Sequence, residues 1–257
     1  MRLTGAELRS FLEEKLSFYN TPSFITDDPI SIPHRFFKKQ DIEISAFLTA
    51  TISWGQRPVI LKNATALLKR MDDSPHDFIL NFKKKDLLPF SSFVHRTFNG
   101  DDCLFFLQSL QKIYQKHHSL EDVFASVNSP GQEDYKSEIA YFRKLFFKLP
   151  HHKRTQKHFA NPDEGSSAKR LNMFLRWMIR KDNSGVDFGI WNLQASMLTC
   201  PLDVHSGRVA RKLKLLKRKQ NDWKAVEELT ANLRKLDPID PVKYDIALFG
   251  LGVFEKF

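Results

Sequence analysis

Asp203 is the residue of this chain whose type and position best suit chemistry. It follows Pro201-Leu202 and precedes a run in which Val209 and Leu213 lie on one helical face. This pattern predicts an N-cap or first-turn residue, where backbone N–H groups and the positive end of the helix dipole stabilise a carboxylate. Such a carboxylate stays ionised near neutral pH and can oppose a developing positive charge. The same pattern is also typical of a helix cap with no chemical role.

Two segments resemble signatures of the helix-hairpin-helix DNA glycosylases. Pro201-Leu202-Asp203-Val204-His205, followed by Arg208-Val209, resembles their Pro-Val-Asp-Thr-His-x-x-Arg-Val motif. Residues 165–175, with Gly165, Lys169 and Asn172 at matching positions, resemble their Gly-x-Gly-x-Lys-x-x-Asn-x-x-Leu element and the archaeal 8-oxoguanine glycosylases. Residues 43–65 are similar to the early helix pair of endonuclease III. The whole chain also resembles an uncharacterised bacterial family of unknown function.

The resemblance implies roles for Lys169 and Asp203. In that superfamily the aspartate is the catalytic carboxylate, and the lysine is the nucleophile of the bifunctional enzymes. It therefore implies a base-excision DNA glycosylase and AP lyase that cleaves the N-glycosidic bond of a flipped, damaged base. Lys169 would attack the anomeric carbon to give a Schiff base, and Asp203 would stabilise oxocarbenium character and help deprotonate the lysine. Two alternatives stay open: a catalytically inactive nucleic-acid-binding relative, and an interaction module whose basic charge is incidental.

The chain departs from the glycosylase pattern at the hairpin. The consensus Leu-Pro-Gly-x-Gly reads here as Asp163-Glu164-Gly165-Ser166-Ser167, so a degenerate hairpin is expected. Its serines make a left-handed backbone and a close approach to a phosphate harder than glycines would. The separation of Lys169 and Asp203 is longer than usual, which indicates an insertion between Arg180 and Ala195. With only 2 Cys, the four-cysteine iron–sulfur cluster of the endonuclease III branch is excluded.

Charge indicates a polyanionic partner. Lys+Arg 40 against Asp+Glu 30 gives a formal net charge of +10 and a sequence pI near 9.5. Such a balance favours the phosphate backbone, so we predict binding to duplex DNA, damaged duplex included, and neither a membrane nor an obligate protein partner. For each basic residue, a solvated helix face or loop is the competing interpretation. The predicted nucleic-acid-binding residues are Gly165, Ser166, Ser167, His205, Arg208, Arg211, Lys212, Lys153 and Arg154.

Three further residues are candidates for a base pocket. Trp54 and Gln56 end an apolar run at the place where the superfamily puts residues near the flipped base, although Trp54 also suits a core position. Trp191 lies in the predicted insertion and offers a ring on which a base can stack. Neither a metal nor a cofactor is expected, because the His-His pairs have no helical i, i+4 spacing and no carboxylate or cysteine partners.

Helical periodicity runs through nearly the whole chain and predicts an all-α fold with two lobes. We predict helices over residues 4–20, 40–54, 58–72, 101–117, 119–127, 134–148, 167–181, 203–216, 222–235 and 241–251. Predicted caps are Asp101, Ser119, Asp222 and a Thr4–Glu7 capping box; Pro58 and Pro241 suit first turns. A proline-bearing loop is expected over residues 22–33, and a stretch over residues 151–165 should separate the lobes or form a mobile loop.

The predicted organisation is a single glycosylase-like unit over residues 1–257. Its lobes span residues 40–150 and 165–257, with residues 1–39 packed as an N-terminal extension, and the resemblance puts Lys169 and Asp203 in the cleft between lobes. Two cysteines without a disulfide framework and the lack of an apolar signal core predict a cytoplasmic protein. The longest apolar run, residues 246–254, is too short to span a bilayer.

Overall fold

In the computed structural model, which describes residues 4–127 and 131–257, the chain is all-α, so the predicted fold class is confirmed. Residues 1–3 of the predicted extension and 128–130 of the predicted first lobe lie outside the described residues. The α-helices of the described chain are α1 (Gly5–Tyr19), α2 (Pro22–Asp27), α3 (Lys39–Thr51), α4 (Arg57–Lys69), α5 (Pro75–Asn81), α6 (Gly100–Tyr114), α7 (Leu120–Ala125), α8 (Lys136–Phe146), α9 (Lys169–Ile179), α10 (Val204–Lys212), α11 (Trp223–Leu236) and α12 (Tyr244–Val253).

Short 3-10 helices connect several of these elements. They are Pro29–Ser31, Pro33–Arg35, Lys84–Phe90, Lys153–His158, Pro162–Glu164, Ala195–Met197 and Pro241–Lys243. Where residues are described, no β-strand forms, and the only pairings of that type are two isolated bridges. None of the helices described combines the length and the apolar character that crossing a membrane requires.

The chain divides into two compact units. The first unit comprises Met1–Thr26, Gln132–Tyr135 and Asn161–Phe257, and the second unit comprises Asp27–Gly131 and Lys136–Ala160. The boundary between Ala160 and Asn161 falls inside the stretch predicted to lack apolar periodicity. Lys169 and Asp203 both belong to the first unit.

Phenylalanine builds the core of the second unit. Phe47 on α3 lies 6.1 Å from Phe106 on α6 and 5.4 Å from Phe142 on α8, measured between ring centroids. Phe146 and Phe159 complete this fully buried cluster. Burying one such side chain contributes on the order of 1.5–3 kcal/mol, so this cluster is a main source of stability for the second unit.

α12 is the central helix of the first unit. Its residues Ile246 and Leu251 are fully buried. Two glycines bring other helices close to it: a Cβ at Gly250 would lie 2.3 Å from the Tyr19 ring at the end of α1, and one at Gly252 would lie 3.2 Å from His205 at the start of α10. Because neither glycine has a side chain, the end of α1 and the first turn of α10 can pack directly against the backbone of α12.

The capping predictions are largely confirmed. Thr4 and Glu7 form the predicted capping box, and Ser119 and Asp222 cap α7 and α11. The prediction for Asp101 is wrong, because α6 begins earlier: the Asn99 side chain accepts the Asp102 N–H, and the helix starts at Gly100.

The loop predicted over residues 22–33 is corrected by proline. Pro22 opens α2, and Pro29 and Pro33 open 3-10 helices, since the fixed φ of proline suits the first helical position. Pro75 likewise opens α5, which the sequence did not predict. The predicted helix 203–216 instead ends at Lys212, and Lys214 has a left-handed backbone with φ +61°.

Candidate active site

Asp203 is the N-cap of α10, as predicted. Its Oδ1 accepts hydrogen bonds from the backbone N–H groups of His205 at 2.8 Å and Ser206 at 2.9 Å. The Ser206 hydroxyl in turn accepts the Asp203 backbone N–H at 3.0 Å. These bonds fix the carboxylate at the positive end of the helix dipole and leave Oδ2 directed at a different group.

That group is Lys169. Its Nζ lies 4.0 Å from Asp203 Oδ2, and both side chains are about one quarter exposed, at 27% and 26%. Lys169 is the first residue of α9, and its Nζ is also 3.7 Å from Met173 Sδ on the next turn. The two residues therefore form a solvent-accessible ion pair at the converging N-termini of α9 and α10.

Asn172 holds the segments of this pair together. It is buried on α9, where its Nδ2 donates to the Ser167 carbonyl at 3.1 Å. Its Oδ1 accepts a hydrogen bond from Thr199 Oγ1 at 2.9 Å. Because Ser167 precedes Lys169 and Thr199 precedes Asp203, one amide connects the backbone before the lysine with the segment that leads to the aspartate.

The predicted insertion folds back on the C-terminal end of α9. The N–H groups of Phe188 and Trp191 donate to the carbonyls of Trp177 and Met178 at 2.9 Å each. The Trp191 ring is fully buried and packs edge-on against Phe174, with ring centroids 5.4 Å apart. The extra residues therefore cap α9 and leave the geometry at its N-terminus intact.

Buried charges lie deeper in the same unit. Arg176 on α9 pairs with Asp187 at 3.2 Å and with Asp245 on α12. Arg180 pairs with Asp187 at 2.9 Å and with Asp240 at 2.8 Å, and these carboxylates hold the pKa of its guanidinium above the usual value despite burial. The network connects α9, the insertion and the start of α12.

Asp245 is the member of this network that the electrostatics connect to the candidate pair. Burial raises the pKa of its carboxyl to about 6, against the positive charge of Arg176. The negative charge of Asp203 also raises this pKa, whereas the positive charge of Lys169 lowers it. Cys200 Sγ lies 3.9 Å from Asp245 Oδ1, and burial raises the pKa of this thiol well above its usual range. Asp245 is not among the residues predicted from sequence; its one signal there is that it is the lone carboxylate of the apolar helix α12.

A family model described as "Protein of unknown function (DUF2400)" matches residues 28–254. The chain belongs to the DUF2400 family. The predicted similarity to a family of unknown function is thereby confirmed. No curated protein and no solved structure matches the chain. The DUF2400 description names no activity, so membership alone does not say what Lys169 and Asp203 do.

In this DUF2400 protein the predicted degenerate hairpin is an ordered turn. Gly165 has φ +83° and closes the 3-10 helix Pro162–Glu164. Its carbonyl accepts the Trp223 N–H at 3.0 Å, and Ser166 forms an isolated bridge with Asp222. The left-handed residue just before α9 is Ala168, with φ +46° and ψ 33°. Gly165, Ser166 and Ser167 are at least partly exposed beside Lys169.

The predicted nucleic-acid-binding side chains fall into two groups. Lys153, His205, Arg208 and Lys212 are exposed, although Arg208 also donates to the Gly252 carbonyl at 2.8 Å. The other two, Arg154 and Arg211, already make several hydrogen bonds within the protein. Lys153 and Arg154 lie in the second unit, and the rest lie in the first.

Arg154 and Arg211 hold loops of their own units. Arg154 Nη1 donates to both oxygens of the fully buried Asp102, at 2.9 and 2.8 Å, and its Nη2 donates to the Thr97 carbonyl. Arg211 donates to the carbonyl of Arg218 at 2.8 Å and to that of Lys219 at 2.9 Å. Both guanidinium groups therefore have clear structural roles.

The base-pocket candidates belong to different units: Trp54 and Gln56 to the second, and Trp191 to the first. Trp54 is partly exposed in the second unit, between His95 at 4.8 Å and His158 at 5.8 Å by ring centroids. Gln56 is exposed there as the N-cap residue of α4. Trp191, which was predicted to offer a ring for base stacking, is fully buried in the first unit.

Proposed function

We propose that this DUF2400 protein is a DNA glycosylase and AP lyase that uses Lys169 and Asp203. The observation that carries the proposal is the 4.0 Å approach of Lys169 Nζ to Asp203 Oδ2, with both side chains partly exposed. It supports the resemblance of the two surrounding segments to the helix-hairpin-helix DNA glycosylases. An amine beside a carboxylate that is fixed by a helix N-terminus suits attack on an anomeric carbon followed by stabilisation of positive charge.

The proposed reaction begins with proton transfer from the Lys169 ammonium to Asp203 Oδ2. The two atoms approach by about 1 Å when substrate binds, since catalytic hydrogen bonds are often long in the free enzyme. The neutral amine then bonds to C1′ of the nucleotide while the bond from C1′ to the base nitrogen breaks. The base leaves with the electron pair of that bond and takes up the proton that Asp203 holds.

Ring opening completes the covalent step. The attached nitrogen loses a second proton to Asp203, the bond from C1′ to the ring oxygen breaks, and that oxygen takes up the proton. The product is a protonated Schiff base between Lys169 Nζ and C1′. In each step the leaving atom takes up the proton from Asp203 as its bond to C1′ breaks, so negative charge returns to Oδ2 while positive charge develops on C1′.

Borohydride trapping tests the proposal directly. The full chain is incubated with duplexes that contain an abasic site or one of a panel of damaged bases, and borohydride reduces any Schiff base to a stable amine. We expect a covalent complex with the wild type and none with Lys169→Gln. Lys224→Gln, an exposed lysine of the same unit outside the pair, is the matched control and should trap normally. Asp203→Asn should slow base removal by about 10²-fold or more.

A catalytically inactive nucleic-acid-binding protein is the second candidate. Its support is that the cap hydrogen bonds give Asp203 a sufficient structural role, and that only Gly165 remains of the hairpin glycines. This function predicts DNA binding without trapping on any substrate of the panel. Base removal that survives Lys169→Gln and is lost with Asp203→Asn would instead indicate a monofunctional glycosylase that uses water.

A further inference from the structure

The second unit contains an apolar cavity that is separate from the Lys169–Asp203 pair. It has a volume of about 180 Å³ and lies between the C-terminal parts of α6 and α8. Its walls are Ile113 from α6 and Leu145, Phe146 and Leu149 from α8 and the residues that follow. Ile113 and Phe146 are buried, whereas Leu145 and Leu149 are partly exposed.

The polar side chains that line this cavity include three lysines and no carboxylate. Lys112, Lys116 and Lys148 are exposed and contribute to the lining. None of the three pairs with a carboxylate among the described residues; Lys112 Nζ donates to the Gln115 amide oxygen at 3.3 Å. Unpaired ammonium groups around an apolar wall raise the local positive potential and favour an anion.

Ser109 supplies a hydroxyl in the same wall. It lies on α6, is buried, and its Oγ has no hydrogen-bond partner among the described residues. A serine inside a helix commonly bonds the carbonyl four residues earlier, and an unsatisfied buried hydroxyl costs stability. Rotation about its single χ1 angle is enough for this group to meet a ligand atom in the cavity.

The size of the cavity suits a ligand with one ring. An engineered protein cavity of about 150 Å³ holds benzene, so about 180 Å³ accommodates one six-membered ring with a small substituent. We propose that this cavity binds a small organic anion made of one apolar ring and one carboxylate. The ring lies against Ile113, Leu145 and Leu149, and the carboxylate meets the lysines.

The walls favour a hydrocarbon ring over a nucleobase. A pyrimidine presents several hydrogen-bonding groups at its edge, whereas the wall, apart from its exposed lysines, supplies the Ser109 hydroxyl and the partly exposed His117 imidazole and is otherwise aliphatic and aromatic carbon. Burying the remaining polar groups of a base without partners would cost affinity. The site is thus distinct in chemistry from the proposed glycosylase function and does not depend on it.

Methyl NMR of the full chain with benzoate as the probe tests the proposal. We expect saturable shifts of the Ile113, Leu145 and Leu149 methyl signals, with a dissociation constant on the order of 1 mM or tighter. Benzylammonium and benzyl alcohol should bind at least about fivefold more weakly because they lack the negative charge. Acetate, which lacks the ring, should leave these methyl signals unchanged.

Variants assign the binding to this cavity. The combined change Lys112→Gln, Lys116→Gln and Lys148→Gln should weaken benzoate binding about tenfold. The matched change of three other exposed lysines of the unit, Lys83→Gln, Lys84→Gln and Lys85→Gln, should leave it unchanged.

A second test fills the cavity with a larger side chain. Ser109→Leu should abolish the benzoate shifts, and Leu145→Phe repeats the test if Ser109→Leu does not fold. Shifts that do not saturate, equal affinity for benzylammonium, or binding that survives both filled variants would overturn the proposal. Tighter binding of uridine monophosphate than of benzoate at the same methyl signals would overturn the assigned ligand class.

Discussion

Asp203 meets two requirements with the two oxygens of one carboxylate. Oδ1 satisfies the first turn of α10, and Oδ2 faces Lys169. A helix cap needs only a hydrogen-bond acceptor, whereas stabilising a cationic transition state needs a negative charge. A substitution at Asp203 that keeps the hydrogen-bond acceptor but removes the negative charge therefore distinguishes helix capping from catalysis.

We predict that Asp203→Asn leaves the free energy of unfolding within a few tenths of a kcal/mol of the wild type, because asparagine caps helices about as well as aspartate. Asp203→Ala should cost about 1 kcal/mol, because His205 and Ser206 lose their acceptor. Urea denaturation of the three proteins measures both differences. Equal losses for the two variants would show that the charge of Asp203, and not its capping, stabilises the fold.

Asp245 gives the fold a pH dependence whose sign follows from burial. Its pKa is about 6 in the folded chain against a reference of 3.8, so the unfolded chain releases this proton first as pH rises. The stabilisation is fully present below about pH 4 and is lost between pH 4 and 6. We predict that the unfolding free energy of the wild type, relative to Asp245→Asn, falls by roughly 2–3 kcal/mol over that range.

The neighbours of Asp245 provide the control for this prediction. Asp203→Asn removes a charge that raises the pKa of Asp245 and should move the transition to lower pH. Lys169→Gln removes a charge that lowers this pKa and should move the transition to higher pH. Chemical denaturation across the pH range measures both, and the absence of opposite displacements would contradict the electrostatic connection.

Sequence identified the candidate pair but not its supports. Lys169 and Asp203 stand in local motifs, so the helix-start pattern at Asp203 and the resemblance of both segments were enough to select them. Asn172 and Asp245 act through partners far along the chain, Thr199 and Arg176, and no local pattern shows which distant residues meet. The burial of Trp191 left no local signal for the same reason, since it packs against Phe174 only after the insertion folds back.

At the scale of elements, the loop after α10 depends on Arg211. This side chain donates to the carbonyls of Arg218 and Lys219 and to Asn221 Oδ1 at 2.6 Å. Asn221 in turn donates to the Asp203 carbonyl at 3.0 Å, so the loop also contacts the cap of α10. A charge reversal at Arg211 therefore disturbs structure and does not report on DNA binding alone.

We predict that Arg211→Gln lowers the free energy of unfolding by about 1–2 kcal/mol, because several acceptors lose a charged donor. Lys212→Gln, on the adjacent exposed residue, should change it by less than about 0.5 kcal/mol. Thermal or urea denaturation measures both. A loss at Lys212 as large as that at Arg211 would contradict the specific role of the guanidinium.

The turn before α9 stores backbone strain at Ala168. A left-handed backbone costs a residue with a Cβ on the order of 1 kcal/mol, and glycine avoids this cost. We predict that Ala168→Gly stabilises the protein by up to about 1 kcal/mol. Ala210→Gly, in the interior of α10, should instead destabilise it by about 1 kcal/mol. Destabilisation by Ala168→Gly would show that packing of the buried methyl group outweighs the strain.

At the scale of the whole molecule, the sequence predicted the helical fold class, and the boundary between the two compact units falls inside the 151–165 stretch. The helical periodicity of the apolar residues and the positions of the prolines predicted most of the long helices. The N-terminal segment was expected to pack as an extension, and residues 4–26 group with residues 161–257 in the first unit. The close contact of Tyr19 with Gly250 causes this, and a pairing so distant in the chain leaves no local signal.

The net charge of +10 is the molecular property that bears on DNA binding. Each lysine that contacts a phosphate releases counterions, so affinity falls with salt in proportion to the number of contacts. We predict that affinity for duplex DNA falls about tenfold or more between low and physiological ionic strength. Fluorescence anisotropy at several salt concentrations gives the slope, which Lys212→Gln or Lys153→Gln should each reduce by about 1 if that residue contacts a phosphate.

The exposed lysines are the informative positions for this measurement, because Arg154 and Arg211 already hold protein groups. Lys224→Gln removes the same charge from another exposed site of the first unit and controls for net charge. Equal changes of slope for Lys212, Lys153 and Lys224 would indicate that only overall charge attracts DNA. No binding at low salt would reject a nucleic-acid partner and would remove the substrate on which Lys169 and Asp203 are proposed to act.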